Sequence, residues 1–352
     1  MLRTFIKPVY LGLRELVLRA LIRPGPRPRI PSTIRSILVI ADQRLGDLCL
    51  TLPTLQCLRD ALPETELALV LPPSLQPLAQ WACHPNALFD WTRKSEILAQ
   101  GWDMVIDLTT DYHLKPAQLA HATGAPVRIG FEAFGRGPYF NVPLATSPAD
   151  HMEQMYARSL APFGIPFRRF RLPRLISAEP LQAGSEIRVV VHPGAHHQTQ
   201  RWPADSYAAL IRMINGGGER CLVVGGEPER KLVETIVNMA GIGAEPGIAR
   251  DVLQLAATLQ ASEAVICNNS GPLHLASMLG IPTLSFMGPT VKQRWAPLGE
   301  HNVLLRRNDL PCIGCNSATC RIKTYACMRE ITPDDAFSGY LRLRMAFLEG
   351  LR

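Results

Sequence analysis

Two features of this 352-residue sequence have residue types and spacing that indicate chemistry. Asp47 follows a glycine in the loop after the apolar run 36–41, and the pattern alone favours it as the N-cap of a helix that begins near Leu48. Ser270 and Gly271 separate an apolar run from a helical pattern. Backbone N–H groups at the start of a helix bind anions, most often phosphate. Both features depend on the elements that position them.

The sequence around Ser270 predicts a strand, a turn, a helix and a second strand. An apolar run covers residues 264–267, and Pro272 suits the first position of a helix, where its missing N–H costs nothing. The helix would end at Gly280, with Pro282 beyond it, and a second apolar strand would cover residues 283–287. This pattern alone also fits many parallel α/β proteins, so it supports a phosphate site without deciding it.

Four cysteines in the C-terminal part form the pattern Cys-x2-Cys-x4-Cys-x6-Cys; they are Cys312, Cys315, Cys320 and Cys327. The Cys-x2-Cys start is typical of zinc sites, so a structural zinc ion is one interpretation. The spacing is not one of the tight pairs of pairs, which favours free or disulfide-capable thiols. The chain has nine cysteines, several of them in apolar strands, and this usage predicts reduced thiols in a cytoplasmic protein.

Composition limits the possible functions. With 47% hydrophobic residues, the chain is long enough for two domains with separate cores. Residues 1–35 contain eight basic side chains and one acidic side chain, a net charge equal to the +7 of the whole chain. The remainder is therefore formally neutral, which argues against a nucleic-acid partner. We find no signal peptide and no apolar stretch of about 20 residues that would span a membrane.

The basic N-terminal arm, residues 1–34, has a helical pattern. Phe5, Val9, Leu13, Leu16, Val17 and Ala20 share one side of the predicted helix, which we expect to begin near Pro8. A stiff Pro- and Arg-rich linker follows at residues 23–31. Such an arm suits the surface of an anionic membrane, and a helix packed on the protein's own body is an equally good interpretation.

From residue 34 onward, strand and helix patterns alternate, and they restart after a Pro- and Arg-rich passage at 162–184. The sequence therefore predicts an α/β fold with two doubly wound domains facing a cleft. We place the N-terminal domain at 35–175, the C-terminal domain at 185–330 and a last helix at 331–352. In such sheets, ligands bind at the carboxyl ends of the strands.

Four blocks, in order, resemble the ADP-heptose:lipopolysaccharide heptosyltransferases of glycosyltransferase family 9. They are ILVIADQRLGDLCLTLPTLQCLRDALP (37–63), WDMVIDLTTDYH (102–113), VVVHPGAHHQTQRWP (189–203) and AVICNNSGPLHLASMLGIPTLSFMGPT (264–290). The block at 311–335 resembles the cysteine-rich tail of many members, and the N-terminal arm lies outside the resemblance. The resemblance implies a GT-B fold, two Rossmann-like domains, and inverting transfer of heptose from ADP-heptose to a lipid-linked inner-core acceptor.

The family's general base falls on Asp47, although an aspartate before an apolar helix is also a common N-cap. The resemblance implies that Ser270 and Gly271 bind the donor phosphates. The family's lysine is replaced here by Gln200, so Arg201 would serve, and the aspartate before Ser-Gly is replaced by Asn269. Further donor-side candidates are Gly225, Gly226, Glu229 and His274.

For an acceptor that carries phosphates, we expect contacts from Arg44, His113, Lys115 and Arg128. No Asp-x-Asp occurs in the sequence, which favours transfer without a metal or other cofactor. The protein would work in the cytoplasm, peripherally at the inner membrane. Two alternatives stay open: a family member that uses another nucleotide sugar, and a catalytically silent nucleotide-binding scaffold. A dinucleotide-dependent oxidoreductase is disfavoured, because no Gly-x-Gly-x-x-Gly follows a strand.

Overall fold

The structure is a computed structural model that describes residues 2–22, 25–41, 44–182, 184 and 187–350. The chain forms two compact units, Met1–Arg169 (unit 1) and Phe170–Arg352 (unit 2). Arg23 and Pro24, at the start of the expected stiff linker, lie outside the described residues. The boundary between the units falls within the Pro- and Arg-rich passage at 162–184.

Unit 1 is built on a parallel six-stranded sheet with the order β3-β2-β1-β4-β5-β6. Its strands are β1 (Ser36–Ile40), β2 (Glu66–Val70), β3 (Ala87–Phe89), β4 (Met104–Asp107), β5 (Val127–Phe131) and β6 (Val142–Leu144). Its helices are α1 (Leu2–Leu21), α2 (Leu45–Ala61), α3 (Gln76–Cys83), α4 (Lys94–Ala99), α5 (Lys115–Ala122) and α6 (Met152–Ala157).

The unit 1 core forms because its central strands are apolar on both faces, as parallel strands covered by helices must be. In β1, the side chains of Leu38, Val39 and Ile40 are completely buried. Helix α2 begins at Leu45, earlier than the start near Leu48 that the sequence predicts, because the N–H of Leu48 already donates to the carbonyl of Arg44 at 2.9 Å. Asp47 therefore lies in the first turn of α2 and not in the preceding loop.

Helix α1 also begins earlier than predicted, at Leu2, and it packs on unit 1. Leu18 and Ile22 contact the unit 1 core. A Cβ atom at Gly135 would lie 3.2 Å from the Cα of Glu15, and Gly135 has a φ of +74°. Glycine at this position therefore lets the backbone of α1 approach unit 1 closely.

Unit 2 has a second parallel six-stranded sheet, with the order β12-β11-β10-β7-β8-β9. Its strands are β7 (Ile187–His192), β8 (Arg220–Gly225), β9 (Ala244–Ile248), β10 (Ala264–Asn268), β11 (Thr283–Phe286) and β12 (Asn302–Leu305). Its helices are α7 (Ala204–Gly216), α8 (Arg230–Ala240), α9 (Val252–Gln260), α10 (Gly271–Met278), α11 (Lys292–Trp295), α12 (Ala326–Arg329) and α13 (Pro333–Gly350).

The two parallel sheets confirm the predicted α/β class. The outer strands β3, β6, β9 and β12 were not expected from the sequence, because they are short and two of them contain proline. Each sheet has one point where the strand order reverses, between β1 and β4 in unit 1 and between β7 and β10 in unit 2. Ligands bind at such switch points, beyond the carboxyl ends of the strands.

Among the described residues, no helix has the length and the apolar character needed to cross a membrane.

Candidate active site

Asp47 lies beyond the carboxyl end of β1, at the switch point of unit 1. The N-cap of α2 is Arg44, whose side chain makes no capping bond, so the N-cap interpretation of Asp47 is wrong. The Thr51 hydroxyl donates to the carbonyl oxygen of Asp47 at 2.9 Å, one turn further along the helix. The Asp47 side chain is thus held on a regular helical turn next to the ends of β1 and β4.

The carboxylate of Asp47 accepts a hydrogen bond from a buried tyrosine. The hydroxyl of Tyr156, on α6, donates to Oδ1 of Asp47 at 2.9 Å. The Tyr156 side chain is completely buried between α6 and α2. Burial raises the pKa of the Asp47 carboxyl above its ordinary value, while the Tyr156 hydrogen bond and the Arg44 charge oppose the rise. A carboxylate with a raised pKa is better matched to general base catalysis near neutral pH.

The structure brings three acceptor-side candidates to the same part of unit 1. Arg44 and Asp111 are both close enough to Asp47 to affect its pKa, Arg44 lowering it and Asp111 raising it. Oδ1 of Asp111 accepts a hydrogen bond from the backbone N–H of His113 at 3.0 Å, and the His113 side chain is exposed. Lys115 begins α5, and its Nζ lies 3.9 Å from the ring centroid of Trp91.

Arg128 does not lie at the carboxyl ends of the strands, where Asp47 lies. It lies near the start of β5, level with Val105 of β4, whereas Asp47 lies beyond the carboxyl ends of the strands. Its guanidinium donates to the carbonyl oxygens of Ala125 and Tyr139, at 2.8 and 3.1 Å. These bonds give Arg128 a structural role near the amino end of β5.

A buried ion pair supports the loop that follows β4. Arg136 and Asp107 are completely buried and form a salt bridge. The guanidinium of Arg136 also donates to the carbonyl oxygen of Thr109 at 2.6 Å and to its hydroxyl at 2.5 Å. The Thr109 hydroxyl itself donates to Asp107 at 2.7 Å. A buried charge needs such partners, and here they fix the start of the loop that carries Asp111 and His113.

In unit 2, Asn268 joins the two sides of the switch point. It is the last residue of β10 and is completely buried. Its amide donates to the carbonyl oxygen of Pro193 at 2.7 Å, and its carbonyl oxygen accepts from the backbone N–H of Trp202 at 2.9 Å. The loop after β7 and the turn after β10 are therefore held side by side.

Ser270 and Gly271 follow at the start of α10. Ser270 is the N-cap, and Gly271 and Pro272 are the first two helical residues, so Pro272 lies one position later than predicted. The N–H groups of Ser270 and Gly271 lie at the start of α10, whereas Pro272 has no N–H and the N–H of Leu273 donates to the carbonyl oxygen of Ser270 at 3.1 Å. His274 is buried one turn along, with its ring centroid 6.2 Å from that of Trp295.

Both departures from the family pattern are engaged in local hydrogen bonds. The amide of Asn269 donates to the carbonyl oxygen of Trp295 at 2.8 Å, a bond that an aspartate cannot donate. Gln200 donates to the Thr290 hydroxyl and accepts from the backbone N–H of His197, both at 3.2 Å. The exposed Arg201 donates to the carbonyl oxygen of Ala195 at 2.9 Å.

Glu229 lies against Gly194, two residues after β7, and against Gly225, the last residue of β8. Its Oε2 is 3.4 Å from Nε2 of His192 and accepts from the N–H of Gly226 at 3.0 Å. A Cβ atom on Gly194 would collide with the Glu229 carboxylate, and one on Gly225 would lie 2.9 Å from the Glu229 Cβ. Burial raises the pKa of Glu229, but His192, Gly226 and Arg201 together lower it below its ordinary value.

The four cysteines of the tail block line one cavity of about 290 Å³. Burial and the neighbouring thiols raise the pKa of Cys327 to about 11. In the part of the chain that the structure describes, no group of three or more His, Cys, Asp or Glu side chains could hold a metal ion. The zinc interpretation therefore gains no support from the geometry, and all four thiols are free.

Comparison with known proteins identifies the family to which the chain belongs. Residues 91–326 match the family described as Glycosyltransferase family 9 (heptosyltransferase), which is about two thirds of the sequence. The chain belongs to glycosyltransferase family 9. The resemblance on which the sequence analysis rests is thereby confirmed.

Two family 9 relatives share 25% identity with the chain. Lipooligosaccharide heptosyltransferase 2 of Campylobacter jejuni matches over 184 residues, which is 50% of this chain and 58% of the relative. The chain thus spans less than two thirds of that protein. Lipopolysaccharide heptosyltransferase 1 of Pseudomonas aeruginosa matches over 318 residues, 81% of this chain and 87% of the relative.

The predicted GT-B fold is confirmed by likeness to a solved family 9 structure. E. coli ADP-heptose LPS heptosyltransferase II superposes with a TM-score of 0.74 at 18% identity, covering 90% of this chain and 100% of that one. At this identity the likeness shows the fold.

Two residues of unit 1 and one residue of unit 2 that contact candidate or supporting carboxylates were not predicted from the sequence. Tyr156, His192 and Arg136 contact Asp47, Glu229 and Asp107 respectively. His192 stands in the quoted block VVVHPG, directly after an apolar strand, and that position could have indicated it. Tyr156 and Arg136 have no local signal, because each meets its carboxylate through a contact distant in sequence.

Proposed function

We propose that this family 9 chain is an inverting heptosyltransferase that transfers a heptose from ADP-heptose to a lipopolysaccharide inner-core acceptor. Asp47 is the general base. The observation that carries the proposal is the position of its carboxylate, beyond the carboxyl end of β1, with one oxygen held by Tyr156. The neighbouring Arg44 adds a positive charge suited to a phosphorylated acceptor.

In the proposed reaction, Asp47 takes the proton of the acceptor hydroxyl as the hydroxyl oxygen bonds to the anomeric carbon of the heptose. The bond between that carbon and the diphosphate oxygen breaks, ADP leaves, and the configuration at the anomeric carbon inverts. The Tyr156 hydroxyl binds Oδ1, and the backbone N–H of Arg44 also bonds to the carboxylate, whose remaining lone pairs would accept the proton. Both bonds favour the charged form and so oppose the rise in the pKa of Asp47 that burial causes.

In this proposal, unit 2 binds the diphosphate leaving group. The N–H groups of Ser270 and Gly271 at the start of α10, together with the helix dipole, would bind it, and Arg201 would add positive charge. Glu229 would contact the ribose, because its carboxylate is oriented by His192 and Gly226 at the end of β8. No metal takes part in this proposal.

A second candidate is transfer from another nucleotide sugar, and Asn269 and Gln200 favour it. Asn269 donates a bond that aspartate cannot donate, and Gln200 accepts a bond, from the N–H of His197, that lysine cannot accept. Compared with the family pattern, the donor side therefore lacks a positive charge at Gln200 and a negative charge at Asn269.

The acceptor in this proposal is lipid-linked, and the protein acts in the cytoplasm, peripherally at the inner membrane. The name of the E. coli structural relative includes both ADP-heptose and LPS, which supports this choice of donor and acceptor.

The test is a transfer assay with ADP-heptose and a heptose-deficient lipopolysaccharide, comparing Asp47→Asn with Asp60→Asn. Asp60 lies in the last turn of the same helix and serves as the control. Since general base catalysis contributes about 10²–10⁴ in rate, we expect Asp47→Asn to lose at least two orders of magnitude in kcat and Asp60→Asn to match wild type. Equal rates in wild type and Asp47→Asn would refute the assignment of the base.

Calorimetric titration without added metal separates the candidates for the donor. Selective binding of ADP is the expected result. Preference for UDP or GDP would keep the transferase and replace the donor, whereas binding of no nucleotide would favour a silent scaffold.

A further inference from the structure

Helix α1 has one face packed on unit 1 and an opposite face that is apolar and exposed. The packed face includes Arg14, Leu18 and Ile22. The outward face is formed by Tyr10, Leu13, Leu16, Val17 and Leu21, whose exposed fractions lie between 49% and 76%. An ordinary surface helix has charged or polar residues on its outward side, so this arrangement is the reverse of the usual one.

Large exposed apolar patches mark surfaces that bind a partner. Five large apolar side chains within twelve residues of one helix form a continuous stripe, because their positions recur at intervals of three and four residues. The hydrophobic effect therefore favours covering this face, and the charge around it indicates the kind of partner.

The charge of the N-terminal arm favours an anionic partner. Residues 1–35 carry a net charge of +7, and the exposed Arg27 and Arg29 follow the helix closely. Two copies of this arm would repel each other, which disfavours pairing of the chain through α1. The headgroups of anionic lipids would attract it, and the acyl region below them would accept the apolar side chains.

The packed face connects α1 to the acceptor side of unit 1. The guanidinium of Arg14 donates to the carbonyl oxygen of Tyr112 at 2.9 Å and also to that of Phe134. Tyr112 is next to Asp111, whose negative charge raises the pKa of Asp47. The helix is thus fixed to the loop that borders the candidate base.

We propose that the outward face of α1 binds the surface of an anionic lipid bilayer, with the helix lying in the plane of the membrane. This contact holds the loop 109–113 and the Asp47 side of unit 1 close to the lipid headgroups. The binding itself follows from the helix, while its purpose, to present a lipid-linked acceptor to Asp47, rests on the proposed function.

The first experiment is co-sedimentation of the full-length protein with vesicles, in the absence of substrates. The vesicles contain phosphatidylethanolamine and phosphatidylglycerol, or phosphatidylcholine alone. The test variant is Leu13→Gln/Leu16→Gln, since glutamine preserves helix propensity. The control is Ile176→Gln/Ile242→Gln, which removes two highly exposed apolar side chains from unit 2.

We expect wild type and the control to bind the anionic vesicles alike and the α1 variant to lose at least tenfold in partition coefficient. Binding of wild type to phosphatidylcholine, or in high salt, is expected to be much weaker. Equal binding of the α1 variant and the control would overturn the proposal. So would a wild-type dimer in light scattering that the α1 variant converts to monomer, because a second copy would then cover this face.

A second experiment keeps failure of the proposal distinct from failure of the proposed function. Transfer is measured with the acceptor embedded in anionic vesicles and with its water-soluble, deacylated form. We expect the α1 variant to lose activity only on the embedded acceptor. Equal loss on both acceptors would contradict the orienting role of α1. Absence of transfer by wild type on both, with vesicle binding intact, would refute the transferase function and leave the membrane contact standing.

Discussion

The hydroxyl of Tyr156 donates a hydrogen bond to Oδ1 of Asp47 across 2.9 Å, and the tyrosine ring is completely buried between two helices. Hydrogen bonds to a charged group contribute about 1.5–3 kcal/mol, and each pKa unit corresponds to about 1.4 kcal/mol. Tyr156 therefore lowers the pKa of Asp47 against the rise that burial causes.

We expect Tyr156→Phe to raise the pKa of Asp47 further, since burial would no longer be opposed by this hydrogen bond. The base acts in its deprotonated form, so activity is lost as pH falls through the pKa. The acid limb of kcat/KM against pH should move upward by about one to two pH units, and the lost activity should recover at higher pH.

The control for this variant is Tyr139→Phe, which removes another hydroxyl from a buried ring of unit 1 that is not hydrogen-bonded to Asp47. Its pH profile should match wild type. An unmoved acid limb in Tyr156→Phe, with the rate reduced equally at every pH, would indicate that the tyrosine only stabilises the fold.

Gly194 provides space for the Glu229 carboxylate. A methyl group at this position would collide with that carboxylate and lie 2.8 Å from Cε1 of His192. We expect Gly194→Ala to displace Glu229 and to weaken nucleotide binding by about tenfold, the equivalent of one lost hydrogen bond of about 1.4 kcal/mol, as measured by calorimetry.

Gly216→Ala serves as the control, because an added Cβ meets no atom within 4 Å at the end of α7. It should bind nucleotide like wild type. If Gly194→Ala also binds like wild type, Glu229 does not contribute to nucleotide affinity.

Asn269→Asp restores the family's aspartate and removes the donor to the carbonyl oxygen of Trp295. The new carboxylate would face that oxygen in a buried site. We expect a loss of about 1–3 kcal/mol in the free energy of unfolding, measured by chemical denaturation, because a buried acceptor loses its partner.

The matching change is Asn238→Asp, at an exposed position of α8. Water solvates the new carboxylate there, so the loss should be well below 1 kcal/mol. Equal losses in the two variants would show that burial at Asn269 is unimportant.

Asp107→Asn leaves the Arg136 guanidinium buried without its counter-charge. Breaking a buried pair from one side typically costs about 3–5 kcal/mol, so we expect a loss of this size in the free energy of unfolding. Hydrogen exchange of the backbone at 109–113 should increase, because Arg136 also donates to Thr109.

Glu96→Gln breaks the exposed pair with Arg93 and should leave stability unchanged. A similarly small effect of Asp107→Asn would mean that Arg136 finds other partners or reaches water.

Local patterns were sufficient for much of the fold. The strand predicted at 283–287 is observed at Thr283–Phe286, and the turn between β10 and α10 lies where the apolar run, Pro272 and Gly280 indicate. The pattern failed where local signals were weak. The outer strands β3 and β6 have only three residues each, and Gly46, a poor helix former, gave no signal for the early start of α2.

The sequence by itself determined the α/β class, the position of Asp47 after the first strand, the Ser270–Gly271 turn and the family. These depend on the order of apolar runs, glycines and prolines, which are local properties of the chain. Only the tertiary structure decided which groups surround the candidate residues. Tyr156 is 109 residues away from Asp47 in sequence and bonds to its carboxylate. Arg128 lies near the amino end of β5, away from Asp47. Such contacts depend on how helices pack and strands align, which no local pattern encodes.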